Sequence, residues 1–370
     1  MRKQLRIAQI GSRGIPGHRG GVERVVEAVA PRLVRLGHQV VVYCATWGSF
    51  REPIYQGVQL RYTRSVRSKH LDTFVRSLFA ALRESVGRSD VVHFHASGTA
   101  PFALLPRLFG KAVVVTVHGL DWQRRKWGRF AQWFLQLAEL AAVKLPHRTV
   151  VVSMELKRAL EARYHCSVVY IPNGVEERRV RDPEKITRFG VGHRNYILYL
   201  GRLVPEKRCD VLIEAFRRLP NRAGFKLIVA GPTWHSASYV ASLRSLAGDD
   251  PSIVFTGEVD EDTLEELYSN CYAYVLPSEV EGMSLSLLDA MAFGTCVIAS
   301  DITANVEVIG SAGFLFVTGD VASLARQLEY VISDPTRPDA CRRASKARMT
   351  EEFHWDAVTR QWDALYQELV

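Results

Sequence analysis

Cysteine is scarce. The six in 370 residues (Cys44, Cys166, Cys209, Cys271, Cys296 and Cys341) are scattered without Cys-x-x-Cys spacing, which excludes a thiolate metal cage and a disulfide framework and makes a reducing cytosol the expected compartment. Long apolar runs are missing too. The most apolar helical segment, FAQWFLQLAELAAVKLP at 130–146, is interrupted by Gln132, Gln136, Glu139 and Lys144 and falls short of the roughly 20 apolar residues of a membrane span. No secretory signal is visible, because the apolar stretch after MRKQ has only the length of a strand and then meets a glycine-rich loop. There is no low-complexity tract and no short repeat.

What is present describes a globular chain too long for a single core: 47% apolar and 24% charged residues over 370 positions favour two domains. Short β-branched runs recur as IAQI, VVVYC, VVHF, AVVVTV and TVVVS, with helix-length segments between most of them. After YIPNGV the pattern restarts with YILYLG, KLIVAG, IVFTG, AYVLP and CVIAS. This alternation is the mark of βα units around parallel sheets. Pro172, Asn173 and Gly174 break the chain between the two series, and EERRVRDPEK is too charged to be core. The expected organisation is an N-terminal domain at 1–175, a C-terminal domain at 176–352 and a final helix at 353–370. In that helix Trp355, Val358, Trp362 and Leu365 fall three or four apart, so one face must pack on something. The net charge of +9 is concentrated in the first half, where 61–88 holds Arg61, Arg64, Arg67, Lys69, Arg76, Arg83 and Arg88 against Asp72 and Glu84, and 124–129 reads RRKWGR. Cations interleaved with Trp and Phe are the composition of helices that rest on anionic lipid, and equally of helices whose aromatics are core and whose arginines are solvated. No nucleic-acid recognition motif accompanies them.

Three loops carry candidate chemistry. GSRGIPGHRGG at 11–21 follows the first strand, and the amides of such a turn leading into a helix can surround an anion. A dinucleotide fold is the weaker reading of it, since GxGxxG spacing is absent and the second strand, VVVYCATW, ends without an acidic residue. A plain turn also accounts for the loop. In YLGRLVPEKRCDVL, Arg202 and Lys207 lie after the first strand of the second domain, at the end where open α/β sheets bind ligands, and two cations there suit a diphosphate as well as a solvated basic loop. In PSEVEGMSLSLLDAMAFGTCVIAS, a helix is expected from Ser284 or Leu285, with Glu281 just before it and Asp289 about two turns inside. Its first amides can receive a phosphate, unless Glu281 or Ser284 caps them. Two metal readings are weaker: His93 and His95 share one face of a strand and His118 ends a neighbouring one, and Asp260 and Asp262 precede a helix whose start acids commonly cap. No metal site is expected.

PSxxEG, an acid eight residues after that Glu, and AMAxGxxVIAS resemble the EX7E region of the retaining glycosyltransferases of family four. GRLVPEK, IPNGV, VVVTVHGLD and GSRGIPGHRGGVE are similar to that family in matching order over nearly the whole chain. The opening form resembles its bacterial branch of rhamnosyl- and mannosyltransferases of surface polysaccharide assembly. The resemblance implies an α/β chain of the GT-B fold, with two Rossmann-like domains facing across a cleft and the final helix crossing back to the first. It implies four residues at the reaction centre, in these roles: Glu281 on the donor hexose, Arg202 and Lys207 on the leaving diphosphate, and His118 near the reacting carbon. It also implies donor binding by Gly20, Gly21, Gly201, Gly282, Met283, Ser284, Leu285 and Asp289, the last on the ribose. Asp289 stands where Glu is usual and Ser284 where Gly is common.

The activity so implied is transfer of a hexose from a nucleotide-diphosphate sugar, as co-substrate and without cofactor or metal, to a glycolipid or oligosaccharide acceptor. The expected setting is cytoplasmic, peripheral on the inner face of the cell membrane, with an anionic membrane surface as partner and no nucleic acid. A nucleotide-sugar epimerase of the same fold and a catalytically silent nucleotide-sugar-binding subunit are the alternatives.

Overall fold

The computed structural model describes residues 3–17, 20–46, 50–63, 72–119, 129–220, 222, 224–233 and 236–370. It divides into two compact units, one of Met1–Gly174 with Trp355–Val370 and the other of Val175–His354. The basic runs at 64–71 and 120–128, and His18 and Arg19 of the opening loop, lie outside the described residues.

The first unit is built from β1 (Arg6–Ile10), α1 (Gly21–Arg35), β2 (Gln39–Ala45), β3 (Ile54–Tyr55), β4 (Val58–Thr63), α2 (Asp72–Ser85), β5 (Val91–His95), α3 (Leu104–Leu108), β6 (Ala112–Val117), α4 (Arg129–Lys144), β7 (Arg148–Val151), α5 (Met154–Tyr164) and β8 (Val169–Tyr170). Its strands run in the order β3-β4-β2-β1-β5-β6-β7-β8, parallel except for the β3–β4 hairpin. The second unit holds β9 (Tyr196–Leu200), α6 (Cys209–Arg217), β10 (Lys226–Ala230), α7 (Ala237–Ala247), β11 (Ile253–Gly257), α8 (Glu261–Asn270), β12 (Ala273–Leu276), α9 (Leu285–Ala292), β13 (Val297–Ser300), α10 (Thr303–Ile309), β14 (Phe314–Phe316), α11 (Val321–Ile332) and α12 (Thr336–Glu352). Its parallel sheet runs β11-β10-β9-β12-β13-β14. Both are doubly wound Rossmann-like sheets. In such a sheet the order reverses beside the first strand, and the loops leaving the two strands there part to form a crevice. The reversal falls between β1 and β5 in the first unit and between β9 and β12 in the second.

The β-branched runs read from the sequence are the central strands. Both β5 and β6 are buried at every position, as strands covered on two faces must be. The elements not read from sequence lie at the edges: β3 and β4 are half-exposed and β14 has three residues, too little apolar pattern to stand out.

The last helix, α13 (Trp355–Leu369), belongs to the first unit. It buries Trp355, Val358, Trp362, Leu365 and Tyr366, the face the sequence pattern marked. Polar pairs fix its register. His38 Nε2 meets Asp363 Oδ1 at 2.9 Å, with both side chains buried, while His38 Nδ1 accepts from the Leu5 amide at 3.1 Å. Beneath the helix, His93 Nδ1 meets the Tyr366 hydroxyl at 2.7 Å, His93 Nε2 meets Thr116 Oγ1 at 2.6 Å, and the Trp362 ring lies 4.8 Å from that of His93. Burial pushes His93 down to about 3 and His118 to about 4; burial, then the neighbouring imidazoles, holds His95 well below the usual histidine value.

Two outcomes are expected from this packing. Trp362→Ala should lower stability by about 3–5 kcal/mol, the cost of a large-to-small change in a tight core, read from urea unfolding; a loss under about 1 kcal/mol would mean that α13 is only loosely docked. Stability should also depend on pH with a fixed sign. An unfolded histidine takes up a proton below its ordinary 6.5 while folded His118 stays neutral until about 4, so stability is full above 6.5 and falls as pH drops from there toward 4. The melting temperature should decline over that window in the wild type and less steeply in His118→Gln; equal slopes would contradict a ring held neutral.

Candidate active site

In the second unit the crevice is formed by the loop after β9, residues 201–208, and the loop after β12, residues 277–284. The two loops are tied together. The Glu279 amide donates to the Glu206 carbonyl at 3.0 Å, Arg208 pairs with Glu279 and Lys207 pairs with Glu281. Arg208 adopts the left-handed conformation, φ 48°, and its Nε also meets the Asp210 carboxylate at 3.1 Å. That carboxylate accepts the Tyr239 hydroxyl at 2.6 Å. Arg202 is exposed, and among the described residues its guanidinium has no partner.

The second loop delivers the chain to α9. Ser284 occupies the N-cap position but makes no capping hydrogen bond; its Oγ lies 3.0 Å from Ser286 Oγ, which accepts the Tyr274 hydroxyl at 2.9 Å. Glu281 is engaged by Lys207. Neither of the two candidate caps therefore closes the helix, and among the described residues the first-turn amides beginning at Leu285 receive no side-chain acceptor. A helix start in this state carries partial positive charge aimed at the crevice. Gly282 is half-buried and Met283 buried beside it, while the Gly201 amide is tied to the Ala230 carbonyl at 3.1 Å.

Asp289 departs from the sequence expectation. The helix begins at Leu285, so Asp289 lies just over one turn inside rather than two, and it is buried at 3% exposure. Its Oδ1 accepts from Arg178 Nη2 at 3.0 Å, and Arg178 also reaches Glu265 at 3.3 Å. Arg181 and Lys185 continue the pairing: Arg181 bonds Glu265, and Lys185 reaches Asp262 at 2.6 Å. The charged EERRVRDPEK segment is thus a strap of cations laid along α8 and α9. Asp260 N-caps α8, accepting the Thr263 amide at 2.9 Å, and Lys185 lies against the Asp260–Asp262 pair. Sequence reasoning does not find Arg178 or Arg208; Arg208 adjoins Lys207, but nothing local marks Arg178, whose partner Asp289 is 111 residues away.

In the first unit the glycine-rich loop leaves β1 at the reversal. Gly11 has φ +109°, and a Cβ there would overlap the His95 carbonyl oxygen at the end of β5, so only glycine fits. Gly20 is the N-cap of α1 and Gly21 its first residue. Carboxylates of α1 bind the loop. Glu23 Oε1 accepts the Arg13 amide and Glu27 Oε2 the Gly17 amide, each at 2.9 Å, and the Glu23 carboxylate lies where a Gly20 Cβ would be. Two of the amides expected to face an external anion are therefore satisfied by the protein's own acids. His118 is half-buried at the end of β6, its Nε2 3.3 Å from His95 Nδ1, and His95 Nε2 lies 2.6 Å from Gln9 Oε1. Both nitrogens of His93 and of His95 are engaged within the protein. Among the described residues no three His, Cys, Asp or Glu side chains converge as a metal cage would require.

Comparison with known proteins agrees with this architecture. Residues 19–179 match the model described as Glycosyltransferase Family 4, and residues 183–348 the model described as Glycosyl transferases group 1. The GDP-mannose-dependent alpha-(1-6)-phosphatidylinositol monomannoside mannosyltransferase of Mycolicibacterium smegmatis is 26% identical over 94% of this chain and 93% of its own. The O-antigen chain mannosyltransferase B of Escherichia coli is 27% identical over 57% of this chain and 55% of its own. Among solved structures, the Anabaena protein HepE in complex with UDP and glucose superposes with a TM-score of 0.82 at 18% identity, covering 99% of this chain and 100% of that one. With one family model on each Rossmann-like sheet and little of the chain left outside the two, the protein is a glycosyltransferase of the GT-B fold.

Proposed function

We propose that this glycosyltransferase moves a hexose, with retention at the anomeric carbon, from a nucleotide-diphosphate sugar to a glycolipid or a growing surface polysaccharide, without a metal ion. The observation that carries this reading is the convergence, at the reversal point of the second sheet, of an uncapped helix start, two cations and the Glu281 carboxylate. Such a set suits a diphosphate joined to a sugar. The first-turn amides of α9 with Arg202 and Lys207 take the diphosphate, Glu281 a hydroxyl of the hexose, and Asp289, fixed by Arg178, the ribose side. Gly20 and Gly21 of the first unit let the donor or acceptor approach the start of α1, and His118 meets the sugar near its reacting carbon. The chemistry follows as substitution on one face: the bond from the anomeric carbon to the phosphate oxygen breaks as the acceptor oxygen bonds to that carbon, and the acceptor proton passes to the departing phosphate oxygen. Arg202, Lys207 and the α9 amides stabilise the charge that builds on that oxygen. The relatives' names support GDP-mannose as the first donor to try, and a phospholipid-linked or polysaccharide-linked mannose as the first acceptor.

Lys207 and Glu281 pair with each other. A donor must therefore part them, its diphosphate taking the ammonium and its sugar the carboxylate. This makes two variants separable. Glu281→Gln removes a negative charge from beside Lys207, so nucleoside diphosphate affinity measured by calorimetry should stay level or rise while transfer falls by roughly 10²-fold or more; Arg202→Ala should lose roughly 10²- to 10³-fold in transfer and weaken nucleoside diphosphate binding as well. Loss of nucleotide affinity in Glu281→Gln would show the roles to be misassigned.

A membrane-bound acceptor is supported by three helices of the first unit. On α2 and just beyond it Phe79, Leu82 and Val86 are exposed, on and after α3 Leu104, Leu108 and Phe109, and on α4 Trp133, Leu137 and Leu140. The sets on α2 and α4 recur at helical spacing, and exposed Arg83 and Arg107 stand among them. No helix among the described residues is long and apolar enough to cross a membrane. The protein should float with anionic phosphatidylglycerol vesicles at low salt and less so at high salt, and Leu108→Asp with Phe109→Asp should abolish flotation while leaving the melting temperature unchanged. Wild-type protein that binds no vesicle at any salt would remove the membrane part of the reading.

A further inference from the structure

The buried polar chain behind His118 has a direction. Gln9, on β1, donates from Nε2 toward the Tyr366 hydroxyl oxygen at 3.4 Å. Its Oε1 is then the group that faces His95 Nε2 at 2.6 Å. A carbonyl oxygen only accepts, so the His95 proton sits on Nε2 and its Nδ1 carries a lone pair. That lone pair faces His118 Nε2 at 3.3 Å. The His95 and His118 rings are 24° from coplanar with centroids 5.6 Å apart, the separation of two imidazoles joined edge to edge through one N–H···N bond. His93 does not compete, since its own nitrogens meet Tyr366 and Thr116.

We propose that Gln9 and His95 are positioning residues that fix His118 as the Nε2–H tautomer, so that its Nδ1 presents a lone pair to a hydroxyl of the bound sugar. The role toward sugar rests on the transferase reading; the tautomer does not. A neutral imidazole has one donor and one acceptor, and which nitrogen faces a ligand is set by the bond the other makes. Burial keeps His118 uncharged well into the acidic range, so the acceptor is not lost to protonation in ordinary working conditions. A hydroxyl donating to Nδ1 is oriented with its own lone pairs turned away from the ring, which selects a sugar stereochemistry that points a hydroxyl at this atom. The chain also links the site to the C-terminal helix, because Tyr366 on α13 orients the Gln9 amide.

The test is the imidazole nitrogen spectrum of protein labelled with ¹⁵N-histidine, the His118 signals being assigned by their absence in His118→Gln. In wild-type protein at pH 7, His118 should show a protonated Nε2 and an unprotonated Nδ1. Gln9→Glu should reverse this: the carboxylate draws a proton onto both nitrogens of His95, whose Nδ1–H then donates to His118 Nε2 and leaves the His118 proton on Nδ1. The same variant should raise the KM for the nucleotide-sugar about tenfold, the scale of one ligand hydrogen bond, with the melting temperature held. Wild-type His118 protonated on Nδ1, or a Gln9→Glu spectrum without reversal, overturns the proposal. Reversal with an unchanged KM overturns the positioning role alone. If the spectra come out as stated and GDP-mannose, UDP-glucose and their relatives are not turned over, the transferase reading has failed and the tautomer assignment stands.

Discussion

The first-turn amides of an α-helix have no carbonyls within the helix to receive them, and at α9 Ser284 leaves them open, because its hydroxyl is turned to Ser286 instead. The surrounding loops are arranged around that unmet demand. The Glu279–Glu206 backbone bond and the Arg208–Glu279 pair hold the two loops so that Lys207, Glu281 and the helix start share one crevice. The charges neutralise one another across the loops, which keeps two partly buried ions from standing alone in a poorly solvated place. A ligand that brings both a negative group and hydroxyls can replace each partner of the pair with its own.

The first unit solves a different problem. Three imidazoles lie in a row on β5 and at the end of β6, the innermost of them beneath α13, where charge would be costly. Each of the inner two is satisfied at both nitrogens by Tyr366, Thr116, Gln9 and His118. Buried polar networks of this kind are stable only when complete, so the outer imidazole takes its orientation from the groups behind it. The glycine-rich loop follows similar logic. Its glycines admit the His95 carbonyl and the Glu23 carboxylate at distances a Cβ would forbid, and the acids of α1 hold its backbone.

The two series of β-branched runs in the sequence became the central strands, since residues buried on both faces leave no polar alternation to blur. The apolar spacing of residues 355–365 likewise marked a helix with one covered face. Edge strands β3, β4 and β14 escaped notice because a half-exposed or three-residue strand has no such pattern. Among the site residues, Arg202, Lys207, Glu281 and the start of α9 could be placed because each follows a strand end, a position the parallel sheet makes special. Arg178 could not: its segment reads as a solvated charged linker, and its partner Asp289 is brought to it only by the folding of the sheet between them.

Periodicity and turn chemistry, which act over a few residues, are written in the sequence alone, and they determined two parallel α/β sheets, the loops that carry cations and glycines, and a final apolar helix. The tertiary structure decided who pairs with whom. It returned α13 to the first unit, tied Lys207 to Glu281 and Arg178 to Asp289, turned Ser284 away from its helix, and gave the Gln9–His95–His118 chain its polarity. Hydrogen bonds and ion pairs are contacts of a few ångströms between groups tens or hundreds of residues apart, and only the packed chain brings such groups within reach.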